Sequence, residues 1–181
     1  MPQQFDRRDL VLGTLGALAL GGLGALLFGR RSTAADSKPG PDVEPLSLTK
    51  SEWKKRLSPE AYAVLFEEAT ERAGSSPLDR EKRKGTFVCA ACMLPLFESS
   101  AKYDSGTGWP SFFQPIEGHV ATKTDYKIIV PRTEYHCARC GGHQGHVFED
   151  GPKPTGLRYC NNGLALRFVP DGEPLPPLVS S

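Results

Sequence analysis

Gly85-Thr86-Phe87-Val88-Cys89-Ala90-Ala91-Cys92 is the stretch on which the reading of the whole chain turns. Thr86–Cys89 is a short apolar run with the residues of a strand, and it leads into a C-x-x-C knuckle. A second knuckle, Cys137-Ala138-Arg139-Cys140, follows after 44 residues. Two intervening residues let both sulfurs of a knuckle face one centre, so Cys89, Cys92, Cys137 and Cys140 can complete a tetrahedral S₄ shell. The separation is longer than in a local zinc ribbon, so closing the shell must bring distant strands together. One zinc ion is the expected occupant, with iron in the same geometry as an alternative. Neither pair precedes a His, which argues against covalent haem, and no βαβ context supports a redox C-x-x-C. Two disulfides are the other reading for an exported protein. Paired knuckles rarely arise by chance, which favours metal.

Outward from this stretch, the chain after Gly85 is a series of short apolar or alternating runs divided by Gly and Pro clusters. Besides Thr86–Cys89, the runs Tyr126–Val130, His146–Phe148, Gly156–Asn161 and Ala165–Val169 read as strands. They follow one another too closely for βαβ crossovers, so their sheets should be antiparallel. Upstream, Thr49-Lys50-Ser51-Glu52 is a capping-box pattern that opens a short helix through Leu57. Ser58-Pro59 restarts a helix, and Ala61, Val64, Leu65 and Glu68/Ala69 keep helical spacing until Gly74. The expected architecture is a mainly β domain over about residues 85–170 with these short helices packed against it.

The chain has 181 residues, 22 Lys+Arg against 21 Asp+Glu, and 39% hydrophobic residues. That length suits one domain and an appendage. A net charge of +1 with no basic run in the body excludes a charge-driven nucleic-acid grip. The 19 Gly and 16 Pro make the chain turn-rich without the composition of low-complexity disorder.

The appendage is N-terminal. Leu10–Phe28 is an uncharged run of nineteen residues, preceded by Arg7-Arg8 and followed by Arg30-Arg31. Asp6-Arg7-Arg8-Asp9-Leu10-Val11 resembles the twin-arginine export signal, with Leu10 in place of the commoner aromatic, and Thr33-Ala34-Ala35 suits a cleavage site. Residues 1–35 are expected to be such a signal, or else an uncleaved membrane anchor through residues 10–28. Either places the working domain in the periplasm or on the outer face of the inner membrane. Residues 36–48 read as a linker, 49–170 as the working domain and 171–181 as a Pro-rich tail.

Five cysteines cannot all be paired. The fifth, Cys160, lies in Gly156-Leu157-Arg158-Tyr159-Cys160-Asn161-Asn162. On a strand Arg158, Cys160 and Asn162 share a face, and a cation beside a thiol favours the thiolate. His143, His146, Glu149 and Asp150 add imidazoles and carboxylates within eight residues, the composition of an activated nucleophile with an acid/base partner. An inert, buried Cys160 is the plainer reading of a lone cysteine. His143 and His146 are also readable as surface residues or as a second metal pair.

Four segments carry a resemblance to a known family: Arg80–Cys92 (REKRKGTFVCAAC), Lys102–Phe112 (KYDSGTGWPSF), Cys137–Phe148 (CARCGGHQGHVF) and Asp150–Asn162 (DGPKPTGLRYCNN). In this order, within about Glu52 to Phe168, they resemble the B-type methionine sulfoxide reductases, which reduce the R epimer of methionine sulfoxide. The resemblance implies two antiparallel sheets with a structural zinc on Cys89, Cys92, Cys137 and Cys140. It makes Cys160 the nucleophile that attacks the sulfoxide sulfur and becomes a sulfenic acid. It places His143, His146 and Asp150 around the sulfoxide oxygen, Arg158 as the group that keeps Cys160 ionised, and Asn162 as a further polar wall. Trp109, in Gly108-Trp109-Pro110-Ser111-Phe112, would pack against the substrate S-methyl, with Phe112 beside it in the substrate site. An apolar methyl next to a polar oxygen calls for one aromatic wall and one hydrogen-bonding wall.

Two positions depart from the family pattern. Many members carry a resolving cysteine just before Gly-Trp-Pro-Ser-Phe, and this chain has Thr107 there. With four cysteines committed to metal, a one-cysteine cycle is expected, in which a small thiol or thioredoxin-like donor reduces Cys160 directly. Asn161 stands where an aliphatic residue is usual, on the face opposite Cys160, where it should matter for packing. The expected partners are oxidised proteins or peptides and the reductant, and the chain should be a monomer. The rival readings are a non-catalytic zinc-binding β module, and a metalloenzyme that uses His143 and His146 as ligands.

Overall fold

The computed structural model describes residues 38–126 and 131–181. The expected signal or anchor (1–35) and residues 127–130 of the expected Tyr126–Val130 strand lie outside them. Tyr126 itself is not in a strand and is exposed. Among the described residues no helix is long and apolar enough to cross a membrane.

Two short helices open the domain. In α1 (Lys50–Arg56) the capping box forms: the Thr49 hydroxyl accepts from Glu52 N–H at 3.2 Å and Thr49 N–H donates to the Glu52 carboxylate at 2.7 Å. In α2 (Pro59–Glu67) Ser58 caps Ala61 N–H at 3.2 Å with Pro59 in the first turn. The second helix stops at Glu67 and does not reach Gly74 as its periodicity suggests. Glu68 turns left-handed (φ 56) and Ala69 N–H closes on the Ala63 carbonyl at 3.0 Å. The physical reason lies further on: the chain after Ala69 leaves the helix to lay Glu71 into a buried set of hydrogen bonds across the sheet.

Nine strands follow among the described residues, and all their pairings are antiparallel. They are β1 (Gly85–Cys89), β2 (Pro95–Glu98), β3 (Lys102–Tyr103), β4 (Ser111–Phe112), β5 (Val120–Asp125), β6 (Arg132–Cys137), β7 (His143–Phe148), β8 (Arg158–Asn161) and β9 (Leu166–Pro170). One sheet has the order β2-β1-β9 and the other β3-β4-β8-β7-β6-β5. The fold is mainly β with two antiparallel sheets and two short helices, as expected. The sequence-based strands in β1, β7, β8 and β9 are all present. The order that places β8 between β4 and β7 rests on contacts no local pattern carries.

The two sheets meet over an aromatic spine. Phe97 stacks on Phe112 at 4.1 Å, Phe112 meets Phe87 edge-on at 5.0 Å, and Tyr135 meets Tyr159 edge-on at 5.2 Å. Phe87, Phe97, Phe112 and Tyr135 are all fully buried, and each aromatic of this kind contributes about 2–3 kcal/mol by burial alone.

Both ends of the described chain are more ordered than a linker and a tail. Val43 and Leu46 are buried, Gly40 N–H bonds Gly118 O at 2.9 Å and Leu46 N–H bonds Arg139 O at 2.7 Å. At the other end Val179 N–H bonds Cys92 O at 3.2 Å and its side chain packs on the core. The described part of the 36–48 linker and the end of the 171–181 tail therefore lie on the domain. Isolated apolar side chains in a polar, Pro-rich stretch are enough to hold it once a surface is there to bury them.

Candidate active site and thiol shell

The two knuckles are copies of one turn. Cys89 ends β1 and Cys137 ends β6. In the first, Cys89 N–H bonds Leu94 O at 2.8 Å and Met93 N–H bonds Cys89 O at 3.0 Å. In the second, Cys137 N–H bonds Gly142 O at 2.9 Å and Gly141 N–H bonds Cys137 O at 2.9 Å. The residue four past the first cysteine is left-handed in both, Met93 at φ 65 and Gly141 at φ 70. The two turns face each other and bring the four sulfurs within 4.8 Å of one another. Cys89 and Cys140 are 3.7 Å apart, and Cys92 and Cys137 3.5 Å. A tetrahedron with metal–sulfur bonds of about 2.3 Å has edges of about 3.8 Å, so the set fits one ion. A disulfide bond would be about 2.05 Å. Hydrogen bonds from Cys137, Cys140 and Cys89 hold the Cys92 thiol far below the ordinary range, while Cys89 and Cys140 are pushed well up.

Cys160 sits elsewhere, on β8 between β4 and β7. Its backbone is level with Ser111 on one side and His146 on the other. Gly145 lets β7 approach: a Cβ there would collide with the Cys160 carbonyl. The thiol lines a cleft of about 150 Å³ whose other walls include Thr70, Trp109, Arg132, His146 and Asn162. That volume suits a single side chain of about benzene size. Two larger clefts, of about 690 and 770 Å³, contain neither cysteine nor histidine. The indole of Trp109 is fixed by its N–H, which donates to Glu71 O at 3.1 Å. Asn162 is held by Gln144 O at 3.0 Å and accepts from Glu71 N–H at 3.1 Å.

The structure gathers some of the expected residues at the cleft and sets others behind it. His146 is in the wall, its Nε2 2.9 Å from Asp125, which also takes Arg132 at 2.8 Å. Burial lowers the His146 pKa against the opposing pull of Asp125, so the ring is neutral near pH 7. His143 is buried one layer back, its Nδ1 2.9 Å from Glu134, with the two imidazoles 5.5 Å apart. Asp150 does not line the cleft. It takes Arg158 through two bonds of 2.8 Å, and Arg158 also lies over the Phe148 ring at 4.2 Å. Phe112 is not a cleft residue either, because the Phe97 stack holds it in the core.

The expectation of a ready thiolate needs correcting. Burial pushes the Cys160 thiol above its ordinary value. Arg158 and a hydrogen bond from Thr107 pull it down by less, and Asp150 opposes them. The guanidinium is already committed to Asp150, so the thiol of the free protein keeps its proton at neutral pH.

Sequence reasoning missed Glu71, Asp125, Arg132, Glu134 and Thr70. Asp125, Arg132 and Glu134 carried a signal of a kind, alternating with other polar residues along β5 and β6; Glu71 and Thr70 lie in a stretch read as helix. Glu71 is the most consequential. Its buried carboxylate accepts from Gly163 N–H at 2.6 Å and Leu164 N–H at 2.9 Å, while its backbone holds Trp109 and Asn162. Glu71→Ala should cost about 2–4 kcal/mol by leaving two buried amides without an acceptor. It should also raise KM more than it lowers kcat, read by urea unfolding and steady-state kinetics. An unchanged unfolding midpoint would remove Glu71 from this role.

Asn161 is fully buried on the face opposite Cys160. It accepts from the Tyr135 hydroxyl at 2.6 Å and its amide reaches the Gln144 side chain at 3.4 Å. The Gln144 amide in turn approaches Cys89 Sγ at 3.6 Å. A polar trio thus takes the place of an aliphatic contact, and it ties the Cys160 strand to the thiol shell.

Residues 57–170 match the family model described as the SelR domain. The chain is 51% identical over 136 residues to "Peptide methionine sulfoxide reductase MsrB" of Bradyrhizobium diazoefficiens, covering 75% of this chain and 98% of that protein. It is 52% identical over 118 residues to the protein of the same name from Leptospira interrogans, covering 65% of this chain and 90% of that one. It is 49% identical over 143 residues to "Peptide methionine sulfoxide reductase B1, chloroplastic" of Arabidopsis thaliana, covering 75% and 71%. The match runs through both knuckles, the Trp109 turn and the Cys160 strand, and this chain belongs to the SelR-domain family of B-type peptide methionine sulfoxide reductases.

Proposed function

We propose that this chain reduces methionine-R-sulfoxide in proteins and peptides to methionine, with Cys160 as nucleophile. The observation that carries the reading is the cleft itself. A lone thiol stands between an indole fixed by its N–H and a polar wall of His146 and Asn162, in a chain of the SelR family. The S-methyl group packs on Trp109 and the sulfoxide oxygen faces His146 and Asn162.

Cys160 sulfur bonds to the sulfoxide sulfur and its proton passes to the sulfoxide oxygen; the oxygen then bonds to the Cys160 sulfur as its bond to the substrate sulfur and the transient S–S bond break, which leaves a sulfenic acid on Cys160 and releases methionine. The thiol is protonated at the outset, so the proton it gives up is the one the oxygen needs, and no outside acid enters the sum. His146 is level with Cys160, neutral and held on one ring nitrogen by Asp125, which suits it to carry that proton. Asp125 and Arg132 orient the ring; Asp150 holds Arg158 beside the thiol; His143 and Glu134 support His146 from behind. Two external thiols then convert the sulfenic acid to thiol and water and leave as a disulfide. Thr107 offers no sulfur for an internal bond, so the reductant is a small thiol or thioredoxin-like protein acting on Cys160 directly.

Incubating the full chain with each epimer of a methionine sulfoxide peptide and dithiothreitol tests this. Turnover of the R epimer alone is expected, with a sulfenic acid on Cys160 by mass spectrometry after one cycle in the absence of reductant, and a mixed disulfide there when a limiting thiol is supplied. Turnover of the S epimer, or none, would overturn it.

The chemistry of the donor set favours zinc in the shell of Cys89, Cys92, Cys137 and Cys140. Cys89 and Cys92 at the end of β1 and Cys137 and Cys140 at the end of β6 would hold the ion, whose charge would offset part of theirs and tie the two strands together without a part in the reaction. The same reading makes residues 1–35 a twin-arginine-like signal, or residues 10–28 an anchor, and the domain an exported monomer. The mass of the mature N-terminus discriminates: a chain starting at Asp36 supports export with cleavage, and an intact N-terminus supports the anchor.

A further inference from the structure

Gln144, on β7, is fully buried, and the reaction above gives its side chain no task. Burying an amide is costly unless its hydrogens find acceptors. Its neighbours fix which way it points. Asn161 Nδ2 lies 2.8 Å from Asn162 O, a carbonyl that only accepts, while Asn161 Oδ1 takes the Tyr135 hydroxyl at 2.6 Å. The second Asn161 hydrogen faces Gln144 Oε1 at 3.4 Å. At the other end Gln144 Nε2 is 3.5 Å from Gly142 O, which again only accepts. The two ends agree: the Gln144 oxygen faces Asn161 and its nitrogen faces Gly142. One Nε2 hydrogen serves Gly142 O, and the other has the Cys89 Sγ at 3.6 Å. Turned over, the amide would set its oxygen against a carbonyl and a sulfur, and its nitrogen against the Asn161 amide hydrogens.

The Cys89 sulfur is therefore placed to accept. A thiolate accepts more strongly than a thiol, because it carries charge. Four thiolates around one divalent cation keep a surplus of negative charge, and Cys89 is fully buried. A buried donor offsets part of that surplus at the sulfur itself.

We propose that Gln144 donates a hydrogen bond to the Cys89 thiolate of the metal-loaded shell and tightens its hold on the ion, with Asn161 and the Gly142 carbonyl keeping the amide in the donating orientation. This rests on the metal reading of the shell and needs nothing from the reductase reading. It also gives a task to Asn161, the departure from the family pattern. An aliphatic side chain at 161 would have no donor to offer Gln144 Oε1. The main chain of Gln144 holds the cleft as well, its carbonyl accepting from Asn162 N–H at 2.8 Å and from Asn162 Nδ2 at 3.0 Å. One residue thus meets a ligand sulfur with its side chain and fixes the polar wall of the cleft with its backbone.

The test loads the full chain, labelled with nitrogen-15, with cadmium-113 in place of zinc. A scalar coupling between the cadmium nucleus and an amide proton is carried along an N–H···S–Cd path and does not arise from proximity alone. One Nε2 proton of Gln144 should show this coupling, and Gln144→Leu should remove the signal. The variant keeps a side chain of similar bulk and has no hydrogen to give. In competition with a chromogenic chelator it should hold zinc about 10- to 100-fold less tightly than the parent, the usual loss for a hydrogen-bond partner of a metal ligand. Cadmium bound in a one-to-one ratio without coupling to the Gln144 amide would overturn the proposal. So would a Gln144→Leu protein with the parent's zinc affinity. Should Gln144→Leu lose the fold, shown by circular dichroism, the coupling in the parent decides alone. A parent that takes up no metal would refute the shell and this donor with it, whereas absent turnover would count against the reductase function and leave both measurements standing.

Discussion

Cys160→Ser is expected to lower kcat/KM for methionine-R-sulfoxide by about 10⁴-fold or more while the protein stays folded, retains its metal and binds substrate as before. The argument is chemical. A serine oxygen near neutral pH is almost wholly protonated, and attack by it on the sulfoxide would have to form an O–S bond in place of the S–S bond that leads to the sulfenic acid. The fold has no stake in the sulfur. Cys160 is half-buried at a cleft wall, one atom is exchanged for a smaller one, and its neighbours Thr107 and Arg158 hydrogen-bond an oxygen as readily. The thermal midpoint should shift by no more than a few degrees. The two readouts are steady-state turnover with dithiothreitol and thermal unfolding. Substantial activity in this variant would move the nucleophile to another residue and remove the reading of the cleft. A collapsed thermal midpoint would instead give the cysteine a structural role that its environment does not suggest.

The second large effect concerns the thiol shell. Cys137→Ser should abolish stoichiometric metal and cost most or all of the cooperative stability of the domain. Metal capture by a preformed set of four thiolates is worth about 10 kcal/mol or more, as large as the whole stability of an ordinary domain. Nothing else nearby offers a substitute. Cys137 is fully buried, and the two turns it helps to join come from strands in different sheets, β1 and β6. Without an ion the sulfurs, within 4.8 Å of one another, would have to be protonated and packed, a poor exchange for four metal bonds. A chelator strong enough to strip the parent protein should have the same effect, with the metal released in a one-to-one ratio as measured by mass spectrometry. Metal-free protein of undiminished stability, sensitive to dithiothreitol, would turn the shell into a pair of disulfides and refute the metal reading.

How far the sequence alone reaches is clearest from particular residues. Both knuckles, the Thr49 capping box, the Ser58 cap and the lone Cys160 could be read locally, because each is a short pattern whose geometry depends on a few neighbours. The paired turns at Cys89 and Cys137 show this best: their hydrogen bonds close within six residues. The family resemblance extended that reading to Trp109, His146 and Asn162, which the structure does bring to one cleft. It extended it too far for Phe112 and Asp150. An aromatic beside Ser111 can face the cleft or the core, and only the Phe97 stack decides which. A carboxylate near a catalytic cysteine can face the substrate or an arginine, and Arg158 claims this one.

Glu71 marks the limit from the other side. Its stretch reads as helix, and its partners Gly163 and Leu164 lie more than ninety residues away. The ionisation of Cys160 was out of reach for the same reason. Arg158 two residues away argued for a thiolate, whereas the burial that outweighs it comes from strands β4 and β7 and from the chain after Ala69.

By itself, then, the sequence determined the division of the five cysteines into four and one, the strand-rich class and the reductase family, because these rest on residue identity and local spacing. The tertiary structure decided which polar groups meet the thiol, which are spent on holding one another, and whether Cys160 carries its proton. Those depend on burial and on pairings across the sheets, and a free energy set by desolvation and distant partners has no local signature to read.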